Sequence, residues 1–124
     1  MDLKNRRLFA VCDEKVMAVV NADTGAVVAT PKICDGPDAA GFDPSTGYVF
    51  ASCGDGNLTV IHEDSPDKYT VVDNVPTKRS ARTMALDLKT HNIFLPAAEF
   101  DAPAAGERRG KMKPGSFGIV VVSK

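Results

Sequence analysis

Hydrophobic residues along this chain fall into short alternating runs, and polar turns separate one run from the next. Residues 7–12 and 16–21 alternate in this way around an Asp13-Glu14-Lys15 turn, and both read as strands. A third strand is expected at 26–33, after the turn Ala22-Asp23-Thr24-Gly25. The middle of the chain predicts four more, at 39–42, 48–53, 58–62 and 69–75. They are joined by Asp43-Pro44-Ser45-Thr46-Gly47, by the tight turn Gly54-Asp55-Gly56-Asn57, and by a loop at 63–67. The last stretch predicts strands at 83–86, 92–97 and 117–123. The fold class is therefore all-β, with ten antiparallel strands.

The turns repeat. Asp43-Pro44-Ser45-Thr46-Gly47-Tyr48-Val49-Phe50 aligns without a gap with Asp2-Leu3-Lys4-Asn5-Arg6-Arg7-Leu8-Phe9 and with Asp87-Leu88-Lys89-Thr90-His91-Asn92-Ile93-Phe94. In each copy an Asp opens a polar turn, and a Phe follows inside an apolar run. A recurrence of about forty residues built from short strands is the signature of β-propeller blades. The chain then reads as one partial propeller domain, 1–124, of three incomplete four-stranded blades at 1–33, 34–76 and 77–124. The first blade lacks its inner strand and the last its outer one. Within the last, residues 97–116 are an insertion rich in Pro, Gly, Ala and charge, expected to be a mobile surface loop.

Propellers close with about four to eight blades, so three leave a ring open. A lone arc exposes a blade face at each end and an unpaired edge, which drive assembly or aggregation. The expectation is a piece of a larger ring or a ring rebuilt from copies of this chain, with a head-to-tail homodimer of six blades favoured.

Bulk properties narrow the function classes. The 124 residues carry a net charge of −1, which gives no long-range attraction to nucleic acid or an anionic membrane. No apolar run is long enough to span a bilayer, and the polar start Met1-Asp2-Leu3-Lys4-Asn5-Arg6-Arg7 is not a signal peptide, so the chain as written is expected in the cytoplasm. Three cysteines are an odd number, arguing against a complete disulfide framework. Cys12 and Cys53 hold equivalent places in adjacent repeats, too far apart to bridge each other, and are expected as small buried apolar side chains.

The repeats resemble the YVTN/YncE-like β-propeller family. The carriers are Cys34-Asp35-Gly36-Pro37-Asp38-Ala39-Ala40-Gly41-Phe42-Asp43-Pro44 and Asn21-Ala22-Asp23-Thr24-Gly25-Ala26-Val27-Val28-Ala29-Thr30. Residues 75–87 and the ending Pro114-Gly115-Ser116-Phe117-Gly118-Ile119-Val120-Val121-Val122 look like the closing part of bacterial members. The resemblance covers essentially the whole chain. It implies the C-terminal portion of a longer, usually seven-bladed ring whose full-length members are often exported to the periplasm or cell surface. The family has no shared catalytic motif to carry over.

Candidate chemistry gathers on the face where one blade passes to the next. Lys78, Arg79 and Arg82 are a candidate anion site, because guanidinium and ammonium groups suit carboxylate or phosphate. Asp35 and Asp38 are candidate ligand residues toward the ring axis. Arg108, Arg109, Lys111 and Lys113 form a basic run without interleaved aromatic rings, so base stacking is unsupported. His91 reads as a surface turn residue, and His62-Glu63-Asp64 cannot converge because neighbouring strand residues face opposite ways. No Cys-x-x-Cys, His-Glu-x-x-His or Gly-x-Ser-x-Gly pattern occurs. No catalytic residue, metal site or cofactor is assigned. The reading is a noncatalytic scaffold or binding module that self-associates, with a small anionic ligand as the candidate partner. The alternatives are a fragment of a propeller enzyme with an axial metal or quinone-type cofactor, and a truncated or deliberately made fragment with no evolved activity.

Overall fold

The computed structural model describes residues 1–124 as an all-β chain of ten strands and no helix. Strands β1 (Arg7–Cys12), β2 (Val16–Asn21) and β3 (Val27–Ala29) form the first antiparallel sheet. Strands β4 (Pro37–Asp43), β5 (Tyr48–Cys53), β6 (Asn57–Ser65) and β7 (Lys68–Pro76) form the second. Strands β8 (Ala85–Leu86), β9 (Ile93–Ala97) and β10 (Gly118–Val122) form the third. Within each sheet successive strands are neighbours, and none of the three sheets closes on itself.

Two apolar cores flank the middle sheet. On one side Met17 and Ile33 pack with Val49, Ala51 and Ile61, and Phe9, Phe42 and Tyr69 close over them. On the other, Phe50 and Leu58 pack with Ile93, Leu95 and Ala97. Period-2 alternation along β5 sends Val49 and Ala51 one way and Phe50 the other, so this strand is covered on both faces. The outer sheets each cover only one. Ile119 and Val121 of β10 stand half exposed while Val120 and Val122 pack inward, and Leu8 of β1 likewise faces out.

The repeated turn has a physical basis in all three copies. The carboxylates of Asp2, Asp43 and Asp87 accept the N–H two residues on, from Lys4 at 2.9 Å, Ser45 at 3.0 Å and Lys89 at 3.0 Å. Such Asx turns place the fifth residue in the left-handed region: Arg6 at φ 54°, Gly47 at 74° and His91 at 62°. Asp2 and Asp43 are buried beneath the neighbouring sheet, while Asp87 is only partly covered.

Two expectations are corrected, the state of Cys53 and the length of the third strand. Cys53 is not a free apolar side chain: it is bonded to Cys34 across a Cα–Cα distance of 5.8 Å, and Cys12 alone is free. The pairing of Gly54 N–H with the Gly36 carbonyl, at 2.8 Å, brings the two segments together at that level. Residues 97–116 form a folded-back loop, zipped by Asp101 N–H to the Lys111 carbonyl at 2.9 Å and Lys113 N–H to the Glu99 carbonyl at 2.8 Å. Finally, the third strand is shorter than 26–33, because Pro31 cannot donate to the ladder; beyond Ala29 only a bridge from Lys32 to Val16 remains.

Candidate functional site

The segment 77–82 leaves β7 and packs on the glycine turn that follows β5. Thr77 N–H donates to the Gly56 carbonyl at 2.7 Å, and Ser80 N–H to that of Gly54 at 3.2 Å. Gly56 has φ +97°, and a Cβ there would sit 3.1 Å from the Arg79 nitrogen, so both the turn and the close approach demand glycine. Ser80, itself at φ 72°, is pinned to the insertion: its hydroxyl donates to the Ala98 carbonyl at 2.7 Å and accepts the Ala98 N–H at 3.2 Å.

These contacts raise a ridge at Ser80 with a cleft on each side. The larger, about 790 Å³, lies between Lys78 and Arg79 and the insertion residues Glu99, Asp101 and Lys113, over a floor containing Phe100 and Ile119. The smaller, about 280 Å³, holds Arg82 and Arg109 with Asp101 between the walls. The sequence-predicted trio is thus divided: Lys78 and Arg79 line one cleft, and Arg82 lines the next. Arg109 and Lys113 join them from a basic run that looked like solvated loop in sequence. Nothing but the fold-back of the insertion brings them here.

The local charge is strongly positive. The ion pairs of the molecule join Arg6 to Asp23, Arg7 to Asp67, Lys15 to Asp35, His62 to Asp64 and His91 to Asp43, so no cleft cation is paired. Lys78, Arg79, Arg82, Arg109 and Lys113 face only Glu99 and Asp101, against a net charge of −1 for the whole chain. Unpaired cations over a partly apolar floor can hold a small anion that also carries an apolar part.

The two candidate axial acids do not join this site. Asp35 forms an exposed ion pair with Lys15 Nζ at 3.0 Å, a contact of small energy. Asp38 accepts the Thr83 hydroxyl at 3.0 Å.

Sequence reading undervalued a second polar centre. His91 is not merely a surface turn residue: its Nδ1 donates to Asp43 Oδ2 at 2.6 Å, joining the third sheet to the second. Asp43 Oδ1 accepts both the N–H of Ser45, at 3.0 Å, and its hydroxyl, at 2.7 Å. Burial pushes the Asp43 carboxyl up, but the Ser45 and His91 bonds outweigh it and hold it at about 2. Although Ser, His and Asp meet here, the buried Asp is the hub. Ser45 and His91 each bond to Asp43, so this is no nucleophile–base relay. The centre is structural.

His62 and Glu63 point opposite ways, as strand alternation requires. His62 Nδ1 donates to Asp64 Oδ1 at 2.8 Å, while Glu63 turns to Asn5 and Tyr69. No protein-family model matches the chain, and no curated protein is significantly similar to it.

Proposed function

We propose that this chain is a noncatalytic scaffold and binding module of β-propeller type, YVTN/YncE-like in its repeats, that self-associates to complete a ring. The observation that carries this reading is the asymmetry of cover. The middle sheet buries both faces, whereas each outer sheet buries one and leaves the other to solvent. Three sheets in chain order, each carrying the same Asx turn before its Phe-bearing strand, support repeated units stacked side by side. The exposed Val121 on one end and Leu8 on the other are the surfaces a second copy would cover head to tail. On this reading the positive clefts beside Ser80 hold the ligand. The Cys34–Cys53 bond supports residence in an oxidising compartment.

Light scattering behind size exclusion tests assembly. The expected species has twice the 13.2 kDa chain mass, and Val121→Lys should return it to the monomer. A folded wild-type monomer at all concentrations would remove the ring from the proposal. Ligand binding is tested separately with inorganic phosphate and with benzoate. Arg79→Ala should weaken whichever anion binds by about tenfold, as expected for losing one charge-assisted contact. Equal affinity in both proteins would remove the cleft.

A further inference from the structure

The recurring Asx turn gives two equivalent buried carboxylates, and only one is satisfied. Asp43 uses Oδ1 for its own turn and receives His91, the left-handed residue of the next turn, on Oδ2. Asp2 uses Oδ1 in the same way, accepting N–H groups from Lys4 at 2.9 Å and Asn5 at 3.2 Å. Its Oδ2 has no partner, although the residue is 2% exposed. The reason lies in sequence: where the third turn carries His91, the second carries Gly47, which has no side chain to offer.

Glu63 stands in the vacated place. Its N–H donates to the Gly47 carbonyl at 2.8 Å, and its carboxylate lies close enough to Asp2 for each to shift the other's proton affinity. Oε1 accepts the Asn5 amide at 3.0 Å, while the single Tyr69 hydroxyl proton is divided between Oε2 at 3.2 Å and the Pro66 carbonyl at 2.8 Å. Tyr69 remains a donor, because burial and the Glu63 charge push its hydroxyl upward. The nearby Arg7 guanidinium is committed to Asp67 at 2.7 Å and to the Asn5 and Pro66 carbonyls. Neither Asp2 nor Glu63 enters an ion pair. Two carboxylates therefore meet between the first and second sheets with no positive group between them, and Asp2 Oδ2 has no donor unless Glu63 holds a proton toward it. Such an arrangement calls for a cation.

We propose that Asp2 and Glu63 bind a hard divalent cation, Ca²⁺, between the first and second sheets. Asp2 Oδ2 and the Glu63 carboxylate supply the charge, and the Asn5 side-chain oxygen, once its amide turns, and water complete the shell. The donors are all oxygen, and Ca²⁺ tolerates irregular, partly hydrated geometry of this kind better than Mg²⁺ does. The ion does at this junction what the His91 N–H does at the next.

Thermal unfolding of the full chain in EDTA and in CaCl₂ tests the site. At a Ca²⁺ concentration about tenfold above Kd, Tm should rise by about 4 °C, as mass action predicts for a domain of this size. MgCl₂ should give a smaller rise. Glu63→Gln should abolish the response. Gly47→His, whose Cβ would meet His62 Nε2 at 3.4 Å and so costs some stability of its own, should blunt the Ca²⁺ response, read as the difference between its Tm in CaCl₂ and in EDTA. Because Gly47→His is read independently, a failure of Glu63→Gln to fold leaves the test intact. A wild-type Tm indifferent to Ca²⁺ overturns the proposal, and if Tm also rises on mild acidification, the two carboxylates share a proton instead. A Ca²⁺ response unchanged in both variants overturns it too, since the ion then binds elsewhere.

Discussion

Replacing Cys34 and Cys53 together by alanine will lower the unfolding free energy by about 3 kcal/mol, and Tm by about 10 °C. The bond closes a loop with a sequence separation of 19, and losing it frees the unfolded chain more than it disturbs the folded one. The folded side changes little because other contacts hold the junction. Cys34 N–H still donates to the Thr59 hydroxyl at 3.0 Å, and Gly54 N–H to the Gly36 carbonyl at 2.8 Å. Urea melts of the double variant, and of the wild type with and without a phosphine reductant, measure the effect. Cys12→Ala serves as the control and should fall within about 0.5 kcal/mol, since that side chain is neither bonded nor fully buried. A double variant as stable as the wild type would mean that the thiols are not joined in solution.

The second large effect belongs to Asp43. Asp43→Asn should cost about 2 kcal/mol at neutral pH, because the buried hub loses its charge and must turn an amide N–H₂ toward one of its own donors. The pH dependence follows from the same bonds. The folded carboxyl, at about 2, titrates below its ordinary value of 3.8. The bound, ionised form therefore contributes fully above about pH 4, and that contribution is lost as pH falls toward 2. The shift corresponds to about 2 kcal/mol for this almost fully buried group. Acid unfolding followed by circular dichroism between pH 4 and 2 should be less steep in Asp43→Asn than in the wild type. Identical acid limbs would show that another carboxyl sets the acid limit.

Most of the strand layout was legible in sequence, and the reason is the turn. Asp and its local N–H donors fix where each segment reverses, and the Phe that follows marks the face turned to the next sheet: Phe9 and Phe50 pack there, while Phe94, in the last copy, shares the uncovered face with Val121. The bounds 7–12, 16–21 and 48–53 coincide with β1, β2 and β5. The β6–β7 hairpin runs past His62 because Ser65 still pairs with Lys68 around the Pro66-Asp67 reversal, which sequence alone reads as open loop. The disulfide was hidden by comparison of the wrong pair. Cys12 and Cys53 occupy matching places in the repeat, but the partner of Cys53 lies in the connection before β4, where no repeat position marks it. The clefts were hidden for a related reason. Lys78, Arg79 and Arg82 could be singled out, whereas Arg109 and Lys113 reach them only through hydrogen bonds between two arms of one insertion. Alternation along a strand cannot report such contacts.

The two-sided cover of β5 also sets how the molecule loses order. Each outer sheet shares a core with the middle sheet, and they share none with each other. Detaching one end therefore strips half of β5's neighbours and leaves the opposite junction whole. Cooperativity then runs along a line of three layers, passed from one junction to the next. A partner that covered either free end would convert a terminal layer into an internal one, and the midpoint of order would move toward it.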